Sequence, residues 1–89
     1  MPTCYLGSAV QQHVPCPPTE VVGETLRAAL EALFLRAPKL RAYLLDDQGA
    51  LRHHVEIFVD GDQIRDRIGL SDAVSPAGEV RVYQALSGG

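Results

Sequence analysis

The sequence predicts a small α+β domain in which one main amphipathic helix packs against a mixed sheet of four or five strands. Three observations lead to this fold class. One segment has apolar residues at helical spacing, several short segments alternate as strands do, and their order is β-β-α-β-β-β. A chain of 89 residues forms one domain, and folding at this size buries roughly 60–65% of the unfolded surface.

Two strands precede the helix. Residues 3–8 are rich in side chains that favour strands, and residues 19–22 form a second short strand that Gly23 closes. Residues 9–18 contain three prolines and show no alternation. Because proline cannot donate to a strand ladder, we expect a loop or a broken edge in this segment.

The strongest helix signal lies in residues 24–38. Thr25 is a suitable N-cap, and Pro38 ends the helix because the residue before a proline is driven out of the α region. A single apolar stripe follows the helical period and consists of Leu26, Ala29, Leu30, Leu33, Phe34 and Ala37. Residues 39–45 predict a further helical turn or two.

Residues 54–64 form the clearest strand and hairpin. Apolar side chains at 55, 57 and 59 alternate with Glu56 and Phe58. Asp60-Gly61 predicts a tight turn, since a type I′ turn needs positive φ at both central positions. A short return strand is expected near residues 63–65, before a turn and a tight loop.

The last strand, residues 79–85, places Val80 and Val82 on one face and Arg81 and Tyr83 on the other. A sheet that covers one helix with one face leaves its other face to solvent. This arrangement is a β-grasp, or ubiquitin-like, roll with the last strand in the centre. We expect the domain to span residues 1–83 and residues 84–89 to form a flexible tail.

Four side chains are candidates for a partner-docking surface on the open face of the sheet. They are Phe58, Tyr83, Arg81 and Glu56. A small domain seldom exposes clustered aromatic side chains without a partner, and aromatic residues often anchor interfaces. The alternative is that Phe58 and Tyr83 pack as a cross-strand pair and do nothing more.

The tail ends in Leu86-Ser87-Gly88-Gly89, and the two glycines have no Cβ. The six residues after Tyr83 could reach roughly 20 Å from the sheet. They could thread a narrow channel and place the carboxylate of Gly89 in the active site of another protein. A carboxylate is inert until it is activated, usually through adenylation by ATP in a separate enzyme. A sulfur nucleophile then gives a thiocarboxylate, and an amine gives a conjugate.

Composition and motif content exclude several other classes of function. A net charge of −3 provides no basic footprint for nucleic acid. No apolar run approaches the ~20 residues that span a bilayer, and the first residues lack the features of a signal peptide. We therefore expect a cytoplasmic protein with no membrane or nucleic-acid partner.

The sequence contains no catalytic motif such as a P-loop, G-x-S-x-G or H-E-x-x-H. His13, His53 and His54 are interpreted as surface residues that hold no metal. Cys4 and Cys16 are interpreted as free thiols in packing positions, because they lack the spacing of a metal or redox pair. The chain is therefore expected to be no enzyme and to bind no cofactor of its own.

Three segments carry a resemblance to a known family. They are "ETLRAALEAL" at the helix, then "LRAYLLDDQGALRHHVEIFVDGDQI", of which the strand and turn "VEIFVDGDQI" is the most specific piece, and "GEVRVYQALSGG" at the end. On these segments the chain resembles the ubiquitin-like sulfur carriers of the ThiS/MoaD group, over about residues 22–89. Many members of that group have Asn at the positions of Glu56 and Asp60, which leaves the particular pathway open.

The resemblance implies a function. An adenylating enzyme of the ubiquitin-activating (ThiF/MoeB-like) type would bind the open face and the tail and use ATP to form an acyl-adenylate on Gly89. A sulfurtransferase, or sulfide, would then give a thiocarboxylate for a sulfur-accepting synthase. The product would be of the molybdopterin, cysteine, thiamin or secondary-metabolite type. In the molybdopterin case the chain would be the small subunit of a synthase.

Two alternatives stay open. The chain is a protein modifier that is conjugated through Gly89, or it is an interaction module whose tail is inert. High-mass conjugates would favour the first alternative, and indifference to loss of Gly88 and Gly89 would favour the second.

Overall fold

The computed structural model of the protein describes residues 1–85, which form five strands and three helices. In chain order these elements are β1 (Thr3–Leu6), α1 (Ser8–His13), β2 (Thr19–Glu20), α2 (Leu26–Arg36), α3 (Lys39–Leu44), β3 (Val55–Val59), β4 (Asp62–Gln63) and β5 (Glu79–Gln84).

The strands form one mixed sheet in the order β2-β1-β5-β3-β4. The last strand, β5, lies in the centre, parallel to β1 and antiparallel to β3. The short strands β2 and β4 form the two edges. The prediction of a β-grasp roll with a central last strand is confirmed.

The helix α2 lies on one face of this sheet and forms the core with it. The hydroxyl of Thr25 accepts a hydrogen bond from the backbone N–H of Ala28, as expected of an N-cap (3.2 Å). The predicted stripe is buried from Leu26 to Phe34, whereas Ala37 is half-buried. Within residues 1–85, no helix is both long and apolar enough to cross a membrane.

The prediction of a loop over residues 9–18 was wrong in its first half, where α1 forms. The three prolines begin at Pro15, beyond the end of α1, so none of them interrupts the helix. Val10 anchors α1 with a fully buried side chain. The amide of Gln11 exchanges two hydrogen bonds with the backbone of Cys16, at 2.6 and 2.8 Å, which fixes the chain that follows α1.

Several strand ends also differ from the predictions. β1 ends at Leu6 because α1 begins at Ser8. β2 stops at Glu20, and Val22 is 64% exposed rather than part of the ladder. β4 spans Asp62–Gln63 rather than residues 63–65. The turn before β4 is as predicted, with φ of 52° at Asp60 and 88° at Gly61.

Arg27 ties α2 to two loops of the chain. Its guanidinium donates hydrogen bonds to the carbonyl oxygens of Gly49 (2.7 Å), Ile68 (3.1 Å) and Gly69 (3.2 Å). Arg27 also forms a longer ion pair with Glu31, four residues further along α2, at 3.9 Å. The backbone contacts of Arg27 therefore position the loops that flank β3 and β4.

Asp66 organises the loop between β4 and β5 and makes stability depend on pH. Its carboxylate accepts hydrogen bonds from the Ser71 hydroxyl (2.6 Å) and from the backbone N–H groups of Gly69 (2.8 Å), Ile68 (3.1 Å) and Ser71 (3.2 Å). These bonds, the Ser71 hydroxyl first, lower the pKa of Asp66 from 3.8 to about 2. Because the folded protein has the lower pKa, the contribution of Asp66 to stability is present above pH 4 and is lost toward pH 2.

We expect Asp66→Asn to lower the free energy of unfolding at neutral pH and to flatten its decline between about pH 4 and pH 2. Urea titrations across this range would measure both effects. The matched control is Asp47→Asn, because Asp47 is exposed and accepts no hydrogen bond within the described part of the chain. An Asp66→Asn curve parallel to that of the control would contradict the assignment.

Candidate partner-docking site

Phe58 and Tyr83 lie together on the open face of the sheet, as predicted. Their ring centroids are 5.9 Å apart at an interplanar angle of 69°, an edge-to-face contact. In the register of β3 and β5, Phe58 lies opposite Arg81, and Glu56 lies opposite Tyr83. The four predicted side chains are therefore neighbours on two adjacent strands. Tyr83 is 40% exposed and is available to a partner.

A third aromatic side chain, Tyr5, extends this surface onto β1. The parallel pairing of β1 and β5 places Tyr5 opposite Arg81, and the guanidinium lies over the Tyr5 ring at 4.3 Å from its centroid. Arg81 also donates to the carboxylate of Glu79 at 3.1 Å, and this bond raises the pKa of Arg81 above its usual value. A permanent cation thus lies among three aromatic rings.

Glu56 marks the polar border of the same face. Its carboxylate accepts hydrogen bonds from the side-chain amide of Gln63 (2.5 Å) and from the guanidinium of Arg67 (3.3 Å). Arg67 is held in turn by the carbonyl oxygen of Arg52 at 2.8 Å. Because the Glu56 carboxylate is already paired with Arg67, it is better suited to form the edge of this surface than to bind a cation of a partner.

The absence of a side chain at Gly7 leaves room for the Tyr83 ring. A Cβ atom at Gly7 would lie 2.7 Å from Cδ1 of Tyr83, closer than real Cβ contacts. The backbone of Gly7 has φ of −67°, which alanine adopts readily, and its N–H donates to the carbonyl of Val82 at 2.8 Å. Replacement by alanine therefore acts chiefly on the Tyr83 ring.

We expect Gly7→Ala to displace the Tyr83 ring and to cost about 1 kcal/mol in stability, because alanine is a poorer N-cap than glycine. The aromatic NMR resonances of Tyr83 and Phe58 should move, while those of Tyr43 on α3 stay in place. Unchanged Tyr83 resonances would show that the ring does not depend on the space above Gly7.

The chain stays attached to the domain through Ala85. The Tyr43 hydroxyl donates a hydrogen bond to Oε1 of Gln84, and the N–H of Ala85 donates to the carbonyl of His54 at 2.7 Å. β5 therefore continues one residue beyond position 83, where the domain was predicted to end. The predicted threading and activation residues, Leu86, Ser87, Gly88 and Gly89, lie outside the described residues.

The three histidine rings each contact another aromatic ring. The ring of His13, at the end of α1, stacks on Tyr43 at 5.0 Å between centroids. Tyr43 meets His54 edge to face at 5.6 Å, and His54 meets His53 at 6.2 Å. His13 lies within residues 9–18, which were predicted to be a loop, but α1 forms there and brings His13 against Tyr43 on α3. Residues 1–85 hold no group of three or more His, Cys, Asp or Glu side chains placed to bind a metal.

Both cysteines are buried free thiols, as predicted. Burial, with a smaller effect of Cys16, raises the pKa of Cys4 to about 11. The Cys4 thiol is therefore protonated at neutral pH and unsuited to nucleophilic chemistry. It contributes to packing beneath the sheet.

No protein-family model matches the chain, and no curated protein matches it by sequence. Solved structures, in contrast, match over nearly the whole chain. A chain of the BexX/CysO complex of Amycolatopsis orientalis superposes with a TM-score of 0.84 at 19% identity, with 100% of both chains covered. CysO of Mycobacterium tuberculosis gives a TM-score of 0.82 at 22% identity, covering 97% of this chain and 100% of that one.

Small archaeal modifier protein 1 of Methanosarcina acetivorans is also similar, with a TM-score of 0.80 at 21% identity, covering 99% of this chain and 95% of that one. Identities this low establish the fold alone, and they confirm the fold that the sequence resemblance implied. The chain has the β-grasp fold of CysO and of small archaeal modifier protein 1.

Proposed function

We propose that the protein is a ubiquitin-like sulfur carrier. Its Gly89 carboxylate would be adenylated by a partner enzyme, converted to a thiocarboxylate, and used as a sulfur donor in the biosynthesis of a sulfur-containing metabolite or cofactor. One observation carries this proposal. The central strand β5 is bonded to the domain as far as Ala85, and in the sequence Leu86, Ser87, Gly88 and Gly89 follow directly.

The geometry at Ala85 supports delivery of the tail. Four extended residues reach about 13 Å, so Gly89 could pass beyond the edge of the domain while β5 stays in the sheet. Val82, two residues before Gln84, is completely buried, which anchors the end of β5 in the core. A partner that receives the tail would therefore meet a rigid base.

The aromatic surface formed by Tyr5, Phe58, Arg81 and Tyr83 would be the docking site of the adenylating enzyme. It lies on β1, β3 and β5, and Tyr83 is near the end of the strand from which the tail departs. Rigid aromatic rings with a cation among them are typical of interface hot spots. Docking would thus orient the tail as well as bind the domain.

The chemistry would proceed in two balanced steps. The Gly89 carboxylate attacks the α-phosphate of ATP in the partner, and pyrophosphate leaves. Hydrosulfide then attacks the acyl carbon, AMP leaves, and a thiocarboxylate and a proton result. With a persulfide as the donor, a further thiol of the sulfurtransferase must cleave the S–S bond and become part of a disulfide. The carrier supplies only the carboxylate and its placement.

Intact-mass spectrometry tests this function. The full chain would be incubated with ATP, hydrosulfide and a ubiquitin-activating-type enzyme from the same source. We expect a product with one oxygen replaced by sulfur, and no such product from a chain that lacks Gly88 and Gly89. An unchanged mass, with an enzyme that is active on another carrier, would refute the proposal.

Conjugation to proteins is a second candidate, favoured by the likeness to small archaeal modifier protein 1. The same activated Gly89 would then react with a lysine amine instead of sulfide. Lysine-linked species of higher mass in lysate would support this candidate. Because Lys39 is the only lysine of the chain, polymers could grow only from Lys39 or from the N-terminus.

A further inference from the structure

The end of the domain from which the chain departs carries a surface that the proposed chemistry does not use. We name it the exit-end surface. It consists of His13, Arg36, Lys39, Tyr43, His53 and His54. His13, Arg36, Lys39 and His53 are exposed, whereas Tyr43 and His54 are half-buried.

The topology brings these residues together from four parts of the chain. α1 follows β1, which is parallel to β5, so the end of α1 lies at the carboxyl end of β5. β3 is antiparallel to β5, so His53 and His54, which precede β3, lie at the same end. His13 stacks on Tyr43, and Tyr43 meets His54 edge to face, so these rings join the two sides. Tyr43 and His54 also hold Gln84 and Ala85.

A cleft of about 300 Å³ opens in this surface. It is lined by the apolar residues Val14, Pro15, Ala37 and Pro38 and by the polar side chains of His13, Arg36 and Lys39. No carboxylate lines the cleft, and neither Arg36 nor Lys39 forms an ion pair with any residue of the range 1–85. Within residues 1–85, Arg27, Arg41, Arg67 and Arg81 form ion pairs, whereas Arg52 and Arg65, like Arg36 and Lys39, do not.

The opposite end of the sheet has the opposite charge. Asp60 follows β3 and Glu79 begins β5, and the N–H of Glu79 donates to the Asp60 carboxylate at 2.9 Å. Asp60, Asp62 and Asp72 line a cleft there that contains one cation, Arg65. The domain, with a net charge of −3, is therefore polarised along β5, with a carboxylate cluster at one end and Arg36 and Lys39, with no carboxylate in their cleft, at the other.

We propose that the exit-end surface binds an acidic surface of the protein that takes up the tail. Charge complementarity selects this occupant, since exposed cations with no carboxylate in their cleft attract carboxylates of a partner, and the exposed imidazole groups add hydrogen-bond donors. The polarity of the domain would steer the tail end toward that partner during encounter. The identity of the partner rests on the proposed function, whereas the acid-binding property does not.

A peptide titration tests the surface by itself. The full ¹⁵N-labelled chain would be titrated at low salt with a decapeptide of glutamate, and with a decapeptide of glutamine as the uncharged control. We expect amide shifts at His13, Arg36, Lys39 and the His53–His54 turn with the glutamate peptide alone. Shifts that are absent, or as large around Arg65, would overturn the proposal.

Charge reversal provides matched variants. Arg36→Glu combined with Lys39→Glu should weaken binding of the glutamate peptide by about tenfold, while Arg65→Glu at the opposite end should leave it unchanged. All three side chains are exposed, so the variants should retain the amide spectrum of the folded chain. Equal affinity of the double variant and the natural chain would refute the proposal.

The titration requires neither ATP nor the tail, so its failure and the failure of the proposed function are distinct results. With the adenylating enzyme in hand, the double variant should show a KM for the carrier raised by about tenfold and an unchanged kcat. An unchanged KM would show that the partner does not use this surface.

Discussion

Replacing Gly89 by alanine is expected to slow adenylation by about 100-fold, because a displacement of about 1 Å at a reacting group can cost this much in rate. A Cβ next to the reacting carboxylate would crowd the narrow channel through which the proposed function threads the tail. The thermal unfolding temperature should not change, since the buried core lies entirely before Ala85 among the described residues.

Pyrophosphate release by the adenylating enzyme would measure this effect, alongside a thermal melt of each variant. Ser87→Ala is the matched control, because it alters a tail residue without adding bulk next to the carboxylate. Equal adenylation rates for the natural chain and Gly89→Ala would show that the absence of a side chain at position 89 is not required for activation. Loss of stability in Gly89→Ala would show that the tail contributes to the fold.

Ile57→Ala and Phe58→Ala should separate stability from docking, although the two residues are adjacent in β3. Ile57 is completely buried on the helix face of the sheet. Its truncation should cost about 2–5 kcal/mol, a large share of the roughly 5–15 kcal/mol that stabilises a small domain. The melting temperature should fall by at least about 10 °C.

Phe58 points to the open face and contacts Tyr83, so its truncation should cost only about 1 kcal/mol of stability. If Phe58 is a hot spot of the docking surface, its loss should raise the KM of the adenylating enzyme about 30-fold. Chemical denaturation and steady-state kinetics of both variants would measure the two effects. An unchanged KM for Phe58→Ala would favour the view that the aromatic pair is only a cross-strand contact.

Elements with a strong local signal could be predicted from the sequence. The apolar stripe of α2 and the Asp60-Gly61 turn depend on residues a few positions apart, and both form where expected. α1 was missed because its six residues follow a strand directly and precede a proline-rich segment. Only the buried Val10 and the bonds of Gln11 to Cys16 reveal what stabilises it.

The candidate site likewise contains some residues that could be predicted from the sequence and others that could not. Phe58 and Tyr83 could be assigned to the open face because each alternates with buried residues in its own strand. Tyr5 and Gly7 reach that face through the pairing of β1 with β5, near opposite ends of the chain. The contact of His13 with Tyr43 depends on the packing of α1 against α3. No local pattern carries this information.

The sheet is complete only when its central strand, β5, has formed, and the tail follows β5 in the chain. β1 and β3 each pair with β5 and are not neighbours in the sheet, so neither has its main partner until the final strand is made. Long-range pairing of this kind forms late and slowly during folding. A polypeptide that ends before Glu79 would lack both the central strand β5 and the two glycines, Gly88 and Gly89. Under the proposed function, Gly89 would be presented only on a finished domain, so an activating enzyme would not consume ATP on incomplete chains.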